Sequence, residues 1–106
     1  MADGRKLGDV ATRVLMENDR VRIWEMDLAP GEESDLHRHD LDYVLVQVAG
    51  DKVAGIFDES TKGEYPPGVV EAEVKPGNVI YLEKGGVETA KNTGNERYHE
   101  ILIELK

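Results

Sequence analysis

The sequence GEESDLHRHDLDYVLVQVAG, residues 31–50, contains the pattern that decides the fold. Its two histidines, His37 and His39, are separated by one residue. In a β-strand such residues point to the same side, with their Cα atoms about 7 Å apart. Two imidazoles that share one space suit a single transition-metal ion. Taken alone, however, the pair fits two surface histidines in a polar segment better than a metal site.

The residues after the histidines continue the alternation of a strand. If the strand runs on from His39, Tyr43 and Gln47 point to the same side as the imidazoles. Gln47 would then place an amide deeper in the same space. A buried amide must find hydrogen-bond partners, so Gln47 is either a structural clip or a contact to a bound small molecule.

Turn-forming residues divide the rest of the chain into short segments, as at Pro30-Gly31, Pro76-Gly77 and Gly85-Gly86. The segments have period-2 alternation or β-branched bias, which predicts strands. They lie near residues 10–16, 20–28, 35–39, 42–49, 51–57, 69–74, 78–82, 87–92 and 97–105. Residues 58–68 read as a surface loop. Eight or nine such strands predict an all-β sandwich or barrel, in one domain spanning residues 1–106.

A second stretch, GNVIYLEKGGVETAKN at residues 77–92, complements the first. Together, residues 31–50 and 77–92 resemble the paired motifs of the cupin superfamily. The positions in register are Gly31, His37, His39, Gly50, Gly77, Gly85 and Asn92. The resemblance implies a cupin double-stranded β-helix, which is a jelly-roll barrel, of the small single-domain type found in bacteria.

Two metal-ligand positions depart from the cupin pattern, because Tyr43 stands where the motif has glutamate and Glu88 stands where it has histidine. The resemblance therefore carries ligands over only at His37 and His39. With Glu88 they make a 2-His-1-carboxylate set, which leaves coordination positions open for substrate or dioxygen. This implies one divalent ion (Fe, Mn, Ni or Zn). The alternative is a cupin that has lost its metal.

Tyr43 has three possible roles beside such an ion: a phenolate ligand, a hydrogen-bond donor to a ligand, or a wall of the cavity. The donor role is favoured, because a phenolate requires a large shift from a pKa of about 10. Tyr43 and Glu88 are the candidate proton-transfer groups of an enzyme, and Tyr43 and Gln47 the candidate groups that position substrate.

Two further residues are candidates for binding substrate. Arg22 shares a strand face with Trp24 and would be the counter-charge for a carboxylate if that face lines the barrel. His99 begins an apolar strand face and could line the cavity. For both faces, ordinary core packing is the alternative interpretation.

The composition excludes several functions. There are 22 acidic and 13 basic residues, for a net charge of −9, which disfavours nucleic acids and anionic membranes. The absence of cysteine excludes disulfides and thiolate sites. No apolar run is long enough to span a membrane, and the polar start predicts a cytoplasmic protein.

These patterns favour a metal-dependent enzyme acting on a small organic molecule, by dioxygenase-like chemistry or by isomerase or lyase chemistry. The alternatives are a non-catalytic module that binds or senses a small metabolite, and a structural scaffold. The fold alone does not choose between them.

Three valines predict self-association. Val44, Val46 and Val48 alternate with the inward residues of their strand and so face outward, where polar residues are expected. A homodimer with Val46 near its centre would cover them. The alternative is cover from the strand near Val10–Met16 of the same chain.

Overall fold

The computed structural model describes residues 5–106. Nine strands and no helix form within this range, which confirms the all-β prediction. No described segment is therefore a helix of the length and apolarity that crossing a bilayer requires. The predicted domain of residues 1–106 begins outside the described range. The strands are β1 Arg13–Glu17, β2 Val21–Leu28, β3 His37–Arg38, β4 Tyr43–Ala49, β5 Lys52–Phe57, β6 Gly68–Glu73, β7 Val79–Leu82, β8 Val87–Lys91 and β9 Tyr98–Leu105.

The strands form two antiparallel sheets. One has five strands in the order β1-β2-β9-β4-β7, and the other has four in the order β3-β8-β5-β6. Neighbours in each sheet are mostly distant in sequence, as in the pairs β2–β9 and β3–β8. Each half of the chain therefore contributes to both sheets, and the sheets enclose one core.

The core is built from the inward residues of several strands. Trp24, Met26 and Leu28 alternate along β2, and Tyr98 and Leu102 face them from β9. The remaining buried members of the cluster are Val10, Ala11, Tyr43, Val74 and Ala90. Several members of this cluster, Met26 and Leu102 among them, also line a cavity between the sheets.

Gly50, the last residue of the first motif, has two reasons to be glycine. Its φ of 127° lies in a region that other residues rarely adopt. A Cβ atom there would also lie 3.2 Å from the Cα of Tyr98 and 3.0 Å from its ring. The turn between β4 and β5 can therefore pack against the start of β9 only with glycine at this position.

The outer face of the five-stranded sheet is apolar. Val44 pairs with Tyr81 and Ile103, and Val46 pairs with Val79 and Ile101. Val79 and Tyr81 are 62% and 53% exposed. We call these six residues the valine face.

The N-terminal strand does not cover the valine face. The first strand begins at Arg13, later than the predicted residue 10, because Val10 and Ala11 turn into the core instead. β1 then extends the edge of the same sheet by pairing with β2. The alternative cover proposed from the sequence is therefore wrong for the described residues.

Candidate metal and ligand site

The two motifs meet in the four-stranded sheet. His37 on β3 is the direct cross-strand partner of Glu88 on β8. His39 follows β3 and exchanges backbone hydrogen bonds of 2.8 Å with Gly85 and Gly86. As a result, one ligand atom from each of His37, His39 and Glu88 lies within 4.8 Å of the others. The structure thus brings together the three metal ligands predicted from the sequence.

The hydrogen bonding of His37 prepares it to bind a metal. Its Nδ1 lies 2.8 Å from the backbone carbonyl oxygen of Asp35, which can only accept, so Nδ1 carries the proton and Nε2 has a free lone pair. Burial lowers the pKa of His37, and burial together with His37 lowers the pKa of His39 to about 3. Both imidazoles are therefore neutral at neutral pH, as metal ligation requires.

The spacing of the two imidazoles fits a shared ion. His37 Nε2 and His39 Nε2 are 3.2 Å apart. Two nitrogens bound to one ion at about 2.1 Å lie about 3.0 Å apart at a right angle and about 3.4 Å apart at a tetrahedral angle. The observed distance falls between these values. At this distance a proton or a cation must separate the two lone pairs.

Glu88 supplies the third candidate ligand, a carboxylate that has no hydrogen-bond or ion-pair partner among the described residues. Burial raises the pKa of Glu88 to about 7. A half-buried carboxylate without a donor is disfavoured, and a divalent cation between it and the imidazoles would stabilise its charge. The residues present therefore fit a metal ion.

Tyr43 packs directly on the site. Its ring stacks on the imidazole of His39, with ring centroids 3.9 Å apart and planes 13° apart. Burial, with a smaller contribution from Glu88, raises the pKa of Tyr43 above its usual value. Without a metal, Tyr43 is therefore a neutral phenol whose ring packs on the His39 ring; its role as a hydrogen-bond donor beside an ion remains a prediction.

A cavity of about 150 Å³ adjoins the three ligands, between the two sheets. Tyr43 and Gln47 line it, so the inward direction predicted for alternate residues of β4 is confirmed. Most of the remaining wall is apolar, including Met26, Leu45, Val53, Phe57, Ile80, Leu82 and Leu102. A space of this size and lining suits one ring or a short branched chain.

Two polar residues of the cavity wall were missed by sequence reasoning. Tyr98 and Glu100 on β9 point inward, and Tyr98 donates a short hydrogen bond to Glu100. The sequence interpretation followed the apolar series of β9, His99, Ile101 and Ile103, which in fact faces outward. The available signal was the alternate set of residues on β9, which begins with Tyr98 and continues with Glu100.

The structure corrects the placement expected for Arg22 and His99, because neither lines the cavity. Arg22 lies on the inner side of β2 but at the end of the barrel, where its guanidinium contacts Glu17 at 3.1 Å and the buried Glu104 at 3.4 Å. His99 faces outward and contacts Glu25 at 2.5 Å. Both side chains are therefore occupied by neighbouring carboxylates away from the candidate site.

Comparison with known proteins identifies related chains. The family model described as "Auxin binding protein" matches residues 3–105. Auxin-binding protein 1 of Arabidopsis thaliana is 30% identical over 94 residues, covering 89% of this chain and 46% of that protein. Auxin-binding protein T85 of Nicotiana tabacum is 23% identical over 94 residues, covering 89% and 50%. The chain thus spans about half the length of these relatives.

Solved structures show the same fold. A cupin domain from Bordetella pertussis Tohama I superposes with a TM-score of 0.76 at 25% identity, over 96% of this chain and 97% of that one. This match confirms the cupin barrel predicted from the two motifs.

Proposed function

This chain belongs to the auxin-binding protein family and has the cupin fold, and from that premise we propose that it binds a small organic acid with the help of one divalent metal ion. His37, His39 and Glu88 hold the ion. The adjoining cavity holds the body of the acid. The cytoplasmic location expected from the sequence remains a prediction.

One observation carries the metal part of this proposal. The Nε2 atoms of His37 and His39 and the unpartnered carboxylate of Glu88 converge on one point, where a cation would replace the proton shared by the two imidazoles and would give Glu88 a partner. Three protein ligands leave coordination positions open, and the bound ion would supply a Lewis-acid contact for an acidic group of the ligand.

Charge and lining favour an organic acid with an apolar body. Without an ion, the residues that line the cavity include two carboxyl groups, Glu88 and Glu100, and no lysine or arginine that would attract an anion. A divalent ion next to Glu88 makes the net charge at that end of the cavity positive. The relatives named above are described as auxin-binding proteins, and auxins such as indole-3-acetate are small acids with an apolar ring.

Turnover of the acid is a second candidate, favoured by the identity of the ligands. Two histidines and one carboxylate are the ligand set of non-haem oxygenases, and the Tyr43 hydroxyl faces the same cavity as a proton donor. An isomerase or lyase reaction would use the same groups. In both cases binding comes first, so one experiment addresses the shared step.

The test is calorimetric titration of the full chain with phenylacetate and indole-3-acetate, after removal of metal and after loading with Zn²⁺ or Mn²⁺. We expect binding only to the loaded protein, and loss of both metal and acid binding in His37→Ala. His99→Ala is the matched control, because His99 lies outside the cavity, and it should bind like the wild type. Release of a product from the loaded protein would identify an enzyme. Failure of the wild type to retain any metal would refute the proposal.

A further inference from the structure

The cavity has a second polar wall, across from the metal ligands. Glu100 and Tyr98 lie on β9 of the five-stranded sheet, whereas Glu88 lies on β8 of the other sheet. Glu100 is 5% exposed and Tyr98 is 1% exposed. Both groups line the same cavity, from opposite sheets.

Hydrogen bonds fix which side chains of this wall donate and which accept. The Oε1 atom of Gln47 accepts from the backbone N–H of Lys75 at 3.2 Å, which orients the amide. Its Nε2 then points to the hydroxyl oxygen of Tyr98 at 3.5 Å. Tyr98 in turn donates its single proton to Oε1 of Glu100. The series of donors therefore ends on the Glu100 carboxylate.

The other oxygen of Glu100 has no hydrogen-bond partner among residues 5–106, although the residue lines the cavity. With Tyr98 already donating, an ionised Glu100 needs a further donor, and the surrounding wall is apolar. A ligand that fills the cavity without a donor would leave this acceptor unpaired, which is costly, so a ligand that brings an N–H or O–H group to this point is favoured.

Resting on the proposed function, we propose that Glu100, oriented by Tyr98, selects acids that carry a hydrogen-bond donor at the end opposite the acidic group. The acidic group lies at the metal, the apolar body fills the space between the sheets, and the donor binds Glu100. The ligand class is then an aromatic or similarly compact acid with a distal hydroxyl or N–H group.

The test compares phenylacetate with 4-hydroxyphenylacetate on the Zn²⁺-loaded full chain by calorimetry. A hydrogen bond to a charged acceptor predicts about tenfold tighter binding of the hydroxylated acid. In Glu100→Leu, which removes the acceptor, this preference should fall below about twofold. In Glu100→Gln the amide oxygen accepts from Tyr98 and the NH2 group faces the cavity, so the preference should be lost there as well. 4-Methoxyphenylacetate, which has no distal donor, should bind no tighter than phenylacetate.

The outcomes separate this inference from the function it rests on. Equal affinity of the two acids for the wild type would overturn the role of Glu100 and leave metal-dependent binding intact. An undiminished preference in Glu100→Leu would do the same. If neither acid binds the loaded wild type, the proposed function is wrong, and the ligand class inferred from Glu100 is wrong as well. The wild-type comparison and Glu100→Gln decide the matter even if Glu100→Leu fails to fold.

Discussion

His37 and Glu88 lie directly opposite each other across the β3–β8 ladder, although the first belongs to the motif at residues 31–50 and the second to the motif at residues 77–92. β3 is only two residues long, so the site depends on a short ladder. Glu88 stands where the cupin motif has histidine, so replacing Glu88 by histidine tests the metal site directly.

Replacing Glu88 by histidine should change the metal preference of the site. The change exchanges an anionic oxygen for a neutral nitrogen, and imidazole suits Ni²⁺ whereas carboxylate suits Mn²⁺. We expect the affinity for Ni²⁺ relative to Mn²⁺ to rise by about tenfold or more, measured by competition with a chelator. Glu71→His, on the exposed strand β6, is the control and should leave the ratio unchanged. An unchanged ratio in Glu88→His would mean that Glu88 is not a ligand.

Glu100 should make the metal-free protein less stable as the pH rises. Burial raises the pKa of Glu100 from its usual value of about 4.5 to about 7, so the folded state binds more protons than the unfolded state between these values. Stability therefore falls with rising pH in this window. The free energy of unfolding of Glu100→Gln, minus that of the wild type, should rise by on the order of 3 kcal/mol between pH 4 and pH 8. Urea unfolding at both pH values measures this difference.

The difference between the two proteins isolates Glu100. His37 and His39 have lowered pKa values, so their contribution to stability falls as the pH drops below about 6.5, the opposite slope. Both histidines are present in the wild type and in the variant, as is Glu88, whose pKa burial also raises to about 7, so the contributions of these three groups largely cancel. Parallel stability profiles would show that Glu100 does not titrate in this window.

The valine face should mediate a homodimer. It is uncovered by the described residues, and a two-fold contact would pack its apolar rows against those of a second copy. We expect a dimer in sedimentation velocity at micromolar concentration. Val46→Arg should give a monomer, because it places a charge at the centre of an apolar contact.

Val69→Arg is the matched control for self-association. Val69 is 67% exposed and lies on β6 of the other sheet, so the same substitution there should leave the dimer intact. A monomeric wild type would refute the dimer, and monomers from both variants would show that the valine face is not the contact.

Asn92, the last residue of the second motif, should be required for stability. Its fully buried side chain donates to the backbone oxygens of Leu28 at 3.0 Å and Glu96 at 2.7 Å, and accepts from the N–H of Gly94 at 2.9 Å. Asn92→Ala removes all three bonds and should cost about 2–4 kcal/mol of unfolding free energy. Asn95→Ala, at an exposed side chain, should stay within about 0.5 kcal/mol of the wild type.

Alternation along a strand predicted much of the candidate site. Along β4 the alternation places Tyr43 and Gln47 inward, because one side of the strand carries polar and aromatic groups and the other carries valines. The assumed continuity from His39 is wrong, because β3 ends at Arg38 and β4 begins at Tyr43 in the other sheet, although both segments face the cavity. The resemblance to the cupin motifs likewise implied that Glu88 would meet the histidines.

The same reasoning failed on β9 for a physical reason. Both faces of this strand are largely buried or apolar: Ile101 and Ile103 belong to the valine face, while Glu100 and Glu104 point into the barrel. When an outer face is as apolar as a core, hydrophobicity does not identify the inside. The inner carboxylates became recognisable only with their partners, Tyr98 for Glu100 and Trp24 for Glu104.

Trp24 is the only tryptophan of the chain, and its indole Nε1 donates a 2.6 Å hydrogen bond to the buried carboxylate of Glu104. It packs in the core and does not line the cavity. Its fluorescence should therefore change strongly when the barrel opens and very little when the cavity fills. Three tyrosines line the cavity, Tyr43, Tyr65 and Tyr98, and their fluorescence should change when the cavity fills. The molecule thus carries two intrinsic optical reporters, one for unfolding and one for occupancy, in separate spectral bands.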